Sequence, residues 1–303
     1  MSTKIASPLS LLMAATGVVL FSTKAVMVKL AYPYGVDHVS LLVLRMAFAL
    51  PIYLLIDIFL SKKPEGVTLG KRDYVGVLIA GIVGYYLASL FDFQGLLYIS
   101  ASLERLILFT YPTIVILISR FFLKEQITTK QYLGIGITYL GMLVIFLPRL
   151  FIEPDADFWL GAGLVFLSAL TYAFFLVTSG KYIPRFGTIR FTAWSLSISA
   201  FCVLVHFALT NESSILEQSE EVYYLGGAMA VFATVIPSFL ISGAIKRMGA
   251  SNMSIIGSLG PVSTIVLAII FLGETLDWYQ LIGAVIVISG VVWVSFYEKS
   301  HPK

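Results

Sequence analysis

The 303-residue chain is 58% hydrophobic and only 12% charged, with a mean hydropathy of +0.93, which is about half the charge density of a soluble domain. Its net charge of +3 is spread over short loops with no basic patch, which excludes a nucleic-acid footprint. The single cysteine, Cys202, excludes an internal disulfide framework and a cysteine metal cluster.

Apolar runs of about 20 residues, each long enough to cross a hydrocarbon core, recur along the chain at 8–30, 40–60, 74–98, 101–122, 131–148, 159–180, 190–210, 222–245, 252–272 and 278–297. None alternates like a membrane barrel strand, so helices must satisfy the backbone. The sequence predicts an all-α integral membrane protein with ten transmembrane helices in a lipid bilayer. The first run starts near Lys4, has no convincing cleavage site and contains Lys24; it reads as a retained helix rather than a removed signal.

Runs one to four carry an unusual layer of charge. Lys24 lies about 9 Å below the far end of its helix at 1.5 Å per residue. Arg45 and Asp92 lie at similar depth in the next two runs, and Glu104 with Arg105 open the fourth at that same end. Each intramembrane charge costs roughly 2.5–3.5 kcal/mol on insertion scales, so the five must pair, face water, or both. One reading makes them a gate or anion-attracting vestibule whose surplus positive charge meets a carboxylate. The other makes them a static salt-bridge cluster, with Lys24 and Arg45 snorkelling to the interface. Tyr111, directly before Pro112 in the fourth run, is the aromatic best placed for a cavity, whereas Trp194 reads as an interfacial anchor.

An acidic linker around Glu153–Asp157 divides the chain into units 1–150 and 151–303. Pro112, Phe122, Leu123, Glu125, Gln131, Gly134 and Gly141 recur 149 residues later as Pro261, Phe271, Leu272, Glu274, Gln280, Gly283 and Gly290. Each unit holds five spans, an odd number, so the second enters the membrane from the opposite side. The expectation is two inverted five-helix repeats with a site near the midplane between them. Pro112 and Pro261 each remove a backbone donor and are hinge candidates. Glu125 and Glu274 read as structural residues of interfacial turns. The charge layer has no second copy: its counterparts are Ala173, Trp194, Ile241, Met253 and Ser254.

The loops set orientation. Lys62, Lys63, Lys71, Arg72, Lys124, Lys181 and Arg185 share the side of the amino terminus, while Glu153, Asp155, Glu217 and Glu220 fall opposite. Basic loops stay cytoplasmic, which places both termini inside. His38, His206 and His301 show no metal-ligand spacing. No partnered nucleophile, phosphate loop or cofactor fingerprint is present, so the sequence predicts no catalysis, no cofactor and no metal. Asp92 and Glu104 are the carboxylates placed to carry a proton, the candidate coupling ion.

The stretch Ala101-Ser102-Leu103-Glu104-Arg105-Leu106-Ile107-Leu108-Phe109 through Tyr111-Pro112 resembles the drug/metabolite transporter superfamily, specifically ten-helix bacterial permeases built from two EamA-type units. So do the Leu123-Lys124-Glu125 turn and the segment from Gly249-Ala250-Ser251 through Gly260-Pro261 to Leu272-Gly273-Glu274. The resemblance spans essentially the whole chain. It implies a multi-pass plasma-membrane protein, in bacteria of the inner membrane. The implied activity is secondary transport, commonly export of amino acids or other small metabolites, through a cavity lined by helices 1, 3, 4, 6, 8 and 9. Gly260 stands where such permeases often carry glutamate. A lipid flippase or scramblase of the same architecture, and a membrane subunit that stabilises a partner, are the alternatives.

Overall fold

Ten helical elements follow one another in the computed structural model, which describes residues 8–60, 67–122, 129–151, 156–210, 215–248, 253, 256–257 and 259–298. They are α1 (Pro8–Ala31), α2 (His38–Leu60), α3 (Lys71–Gly95), α4 (Ala101–Leu108 and Tyr111–Phe122), α5 (Thr129–Phe151), α6 (Ala156–Phe186), α7 (Thr188–Thr210), α8 (Glu220–Ala230 through Ile236–Met248), α9 (Leu259–Leu272) and α10 (Trp278–Glu298). No strand occurs among the described residues. Seven of these elements are long and apolar enough to cross a bilayer within the described residues, and Tyr132–Ile145, Leu259–Leu272 and Trp278–Gly290 are shorter apolar pieces. Leu54, Ile58, Phe201, Ile270 and Val285 point outward and exposed, an arrangement that suits lipid and not water.

The end of α3 meets the start of α6 at Tyr98 and Gly161, and its start meets the end of α6 at Asp73 and Arg185, so these helices run antiparallel; the face where α1 begins is the near face and the face where it ends the far face. In its contacts α2 packs on α7, α1 on α8 and α9, α3 on α6, and α5 on α10. Glycines permit the closest of these approaches. A Cβ on Gly141 of α5 would stand 2.7 Å from the Val287 amide of α10, and one on Gly283 would stand 2.4 Å from Ile145. In α3 the same device works at Gly81 and Gly84, where a Cβ would meet the Ser195 carbonyl at 2.5 Å and Phe175 at 2.6 Å.

Three features depart from uninterrupted spans. Residues Ala80–Leu87 of α3 and Val231–Val235 of α8 are π-helical, a local widening that re-aims the side chains that follow. α4 breaks at Phe109–Thr110, just before Pro112. Finally, α6 runs 31 residues to Phe186, past Gly180 where its apolar run stops, and turns into α7 at Gly187 with φ of +83°.

At the far face the start of α4 is capped twice. The Ser100 hydroxyl accepts from the Leu103 amide. The Glu274 carboxylate, reaching from the α9–α10 turn, accepts from the Ala101 and Ser102 amides at 2.8 and 3.1 Å. A carboxylate at a helix N-terminus satisfies orphan donors and complements the dipole, which fits the structural role expected for Glu274. Glu125 lies outside the described residues.

Candidate functional site

α1 brings Val18, Phe21 and Lys24 to one face at helical spacing, and this face meets α3 and α4 near the far end of the bundle. Lys24 Nζ lies 2.6 Å from Asp92 Oδ2 and 3.6 Å from Glu104 Oε1. All three side chains are sealed from solvent, with Glu104 at 0% and Asp92 at 1% exposure. One ammonium therefore serves two carboxylates, and Asp92 Oδ1 and Glu104 Oε2 meet no hydrogen-bond donor among the described residues. Nearby, the Tyr32 hydroxyl donates to the Phe93 carbonyl and ties the α1–α2 connection to α3.

Two further cations flank this cluster without an ion pair among the described residues. Arg45 Nη2 donates to Ser89 Oγ at 2.8 Å, and its guanidinium lies 4.7 Å from the centre of the Phe93 ring. Arg105 Nη2 donates to Ser22 Oγ at 3.3 Å, and its guanidinium lies 5.4 Å from the Phe21 ring centre. The Nε atoms of both arginines are buried and without a partner among the described residues. Gly260 shapes the seat of Arg105: a Cβ there would stand 2.5 Å from Nη2 and 3.0 Å from Nε. Ser22 also donates to the Gly260 carbonyl, and Thr264 donates to the Ser22 carbonyl, so α1, α4 and α9 meet at this arginine.

Beneath the charge cluster lies a cavity of about 530 Å³, mouth included, lined by Val18, Phe21, Arg105, Tyr111, Val115, Tyr172, Leu176, Ile241, Ile245, Met253 and Gly257. A second space of about 300 Å³, lined by Phe21, Lys24, Arg45, Tyr85, Ala88, Ser89, Leu108, Ser168 and Tyr172, adjoins it across Phe21 and Tyr172. These two rings stack at 6.0 Å, and Tyr111 meets Tyr172 edge-on at 5.2 Å. The larger cavity runs from Arg105 toward the near face, where Ile241 and Ile245 approach the end of α8. Among the described residues the linings contain three cations and no acid.

The charged residues singled out in the sequence thus converge: Lys24, Asp92 and Glu104 touch, with Arg45 and Arg105 beside them. Lys24 and Arg45 do not snorkel, since their exposures are 5% and 1%; helix packing and internal partners hold them inward. Tyr111 lines the cavity and Pro112 is buried behind it. Pro261 is buried next to Gly260. Trp194 is half-buried. Its Nε1 donates to Asp57 Oδ2 at 2.8 Å and its ring packs on Tyr74 and Phe186. Sequence reasoning missed Phe21, Ser22 and the seat at Gly260. Only the spacing of Phe21, three residues before Lys24, signalled any of them. Among the described residues no group of three His, Cys, Asp or Glu side chains is placed to hold a metal.

The sequence model of the EamA-like transporter family matches this chain twice, over residues 8–147 and 159–296. The uncharacterized transporter YcbK of Bacillus subtilis (strain 168) is 29% identical over 272 residues, which cover 88% of this chain and 86% of that protein. A second relative from the same organism, the uncharacterized transporter YyaM, is 27% identical over 83% of this chain and 82% of its own length. A solved crystal structure aligns with a TM-score of 0.66 over 95% of this chain and 98% of its own at 16% identity, a likeness of fold alone.

Proposed function

The chain belongs to the EamA-like transporter family, and we propose that it is a secondary transporter that exports a small metabolite, an amino acid or related compound, by alternating access. The observation that carries this reading is the polarity of the central cavity. Its lining is apolar toward the near face, at Ile241, Ile245 and Met253, and the Lys24–Asp92–Glu104 cluster stands at its far end. A site reachable from one side at a time is what alternating access requires.

Residues 1–150 and 151–303 act in this reading as inverted repeats that rock about the cavity. The match of one family to both halves supports it, as does the position of the two π-helical segments, Ala80–Leu87 and Val231–Val235, about 149 residues apart. The basic loops put the near face, and both termini, in the cytoplasm. The cavity is then loaded from inside, as export demands. Asp92 and Glu104, two buried carboxylates facing one ammonium, form the site we assign to a coupled proton, because two like charges so close cannot both ionise cheaply.

Two measurements test the proposal. Purified protein in liposomes should show counterflow of a labelled small metabolite. No flux from the pure protein would favour the partner-subunit reading, and lipid movement insensitive to soluble competitors would favour a flippase. In a Cys202→Ser background, Arg72→Cys should label from the cytoplasm and Leu216→Cys from outside. Labelling of both from one side would overturn the inverted arrangement.

A further inference from the structure

We infer that the cavity selects monocarboxylates that carry an aromatic or apolar body and no ammonium group, with Arg105 anchoring the carboxylate. This rests on the transport reading and narrows its cargo from amino acids to related carboxylates.

The charge distribution around the cavity points to an anion. Lys24 is matched by Asp92 and Glu104, but among the described residues Arg105 meets only a serine hydroxyl and a ring face. Its side chain is more than nine-tenths buried, and its Nε lacks a partner among the described residues while the residue lines the cavity. A buried guanidinium with a free N–H is costly until an acceptor arrives. A carboxylate supplies two acceptor oxygens in the geometry of the guanidinium fork. Gly260 leaves the space that this seat requires and brings no side chain that would neutralise it.

The rest of the lining decides what the carboxylate is attached to. Phe21, Tyr111 and Tyr172 form an aromatic wall, continued by Val18, Val115 and Leu176. An amino acid would bring its ammonium into this lining as well. The acids that would receive it, Asp92 and Glu104, belong to neither cavity lining and sit against Lys24. The Phe21 ring is already faced by two cations, Lys24 at 5.1 Å and Arg105 at 5.4 Å. An ammonium therefore loses water, gains no counter-charge and is repelled by Arg45 and Arg105. A carboxylic acid without the amine, such as a 2-oxo acid, avoids that cost.

A matched ligand series on the purified full-length protein tests this: phenylpyruvate, phenylalanine and phenethylamine present the same ring with carboxylate only, both groups, and ammonium only. Thermal stabilisation and equilibrium binding should rank phenylpyruvate at least about tenfold tighter than phenylalanine, the scale of one charge-assisted contact, with no binding of phenethylamine. Arg105→Gln should weaken phenylpyruvate binding about tenfold to a hundredfold. Gly260→Ala, which keeps the charge but crowds its seat, should weaken it less. The inference is overturned if phenylalanine or phenethylamine binds as well as phenylpyruvate, if phenylpyruvate fails to bind at millimolar concentration, or if its binding survives both substitutions. Binding of phenylpyruvate without flux in liposomes would sink the transport reading and leave the site standing. Flux of another metabolite without phenylpyruvate binding would do the reverse.

Discussion

Asp92 and Glu104 stand at the far end of the cavity around Lys24, whereas Ile241 and Met253, the residues 149 positions further along, line its apolar wall. The counterpart of Lys24 is Ala173, fully buried in the second half. Corresponding places in the chain thus build one polar closure and one apolar mouth. The polar closure is held by groups that must all stay paired, because each unpaired buried charge is costly even though the pairs themselves add little net stability. It specifies one arrangement and opens only when water enters to solvate its three charges. The apolar mouth has nothing to unpair. Its closure would rest on dispersion and on expelling water, which varies smoothly with packing.

The largest effect should come from breaking the polar closure on one side only. Lys24→Met strands two carboxylates and should cost about 3–5 kcal/mol, read as a lower unfolding temperature or loss of monodisperse protein in detergent. Adding Asp92→Asn should recover much of that loss, since one acid is then neutral. By contrast Ile241→Ala, at a wall that already borders empty space, should cost on the order of 1 kcal/mol. Equal losses at both ends would erase the distinction between them.

Much of this contrast was legible in the sequence, because charges are rare in this chain and stand out against apolar runs. Most span limits were legible for the same reason. The ninth run was expected from 252, whereas α9 is described from Leu259; and in α6 Gly180-Lys181 looks like a stop, yet the helix continues on α3, where Arg185 pairs with Asp73 at 2.8 Å. Pairing was not legible. Nothing local distinguishes Lys24, which is matched, from Arg105, which has no ion pair among the described residues, because that depends on which helix faces each face of α1 and α4. Gly260 is equally silent, since a glycine's role as the floor under a guanidinium appears only when α9 lies against α4. The π-helical segments leave no trace in a hydropathy pattern, since they alter aim and not composition.

A smaller effect is expected at the far-face cap. Glu274→Ala removes the acceptors of the Ala101 and Ser102 amides and should destabilise the closed far end by about 1 kcal/mol. In a Cys202→Ser background with Ala88→Cys, a position on the smaller cavity, labelling from the far face should rise severalfold. Glu125, the counterpart of Glu274, lies outside the described residues, and the same logic expects Glu125→Ala to raise labelling from the near face. If Glu274→Ala leaves far-face labelling unchanged, the cap serves the α9–α10 turn alone and takes no part in closure.

The smallest effect separates the two prolines. Pro112 has no N–H to offer the Leu108 carbonyl, and α4 breaks there. Around the break the Thr110 hydroxyl donates to the Ile107 carbonyl and the Thr113 hydroxyl to the Thr110 carbonyl, at 2.8 and 2.7 Å. The polar groups are thus satisfied locally, so the joint costs little to keep and little to flex. Alanine at 112 would restore a donor and let the two pieces of α4 fuse. Fusion would turn Tyr111 relative to Arg105 and so couple the far closure more stiffly to the cavity wall. Pro261 lies in the first turn of α9 beside Gly260, behind the seat of Arg105. If the two prolines serve opposite faces, Pro112→Ala and Pro261→Ala should shift cysteine accessibility in opposite directions, each by a few-fold, corresponding to roughly 1 kcal/mol or less of population shift. Shifts in the same direction, or none, would make both prolines packing features and leave the polar and apolar ends as the sole asymmetry of the cycle.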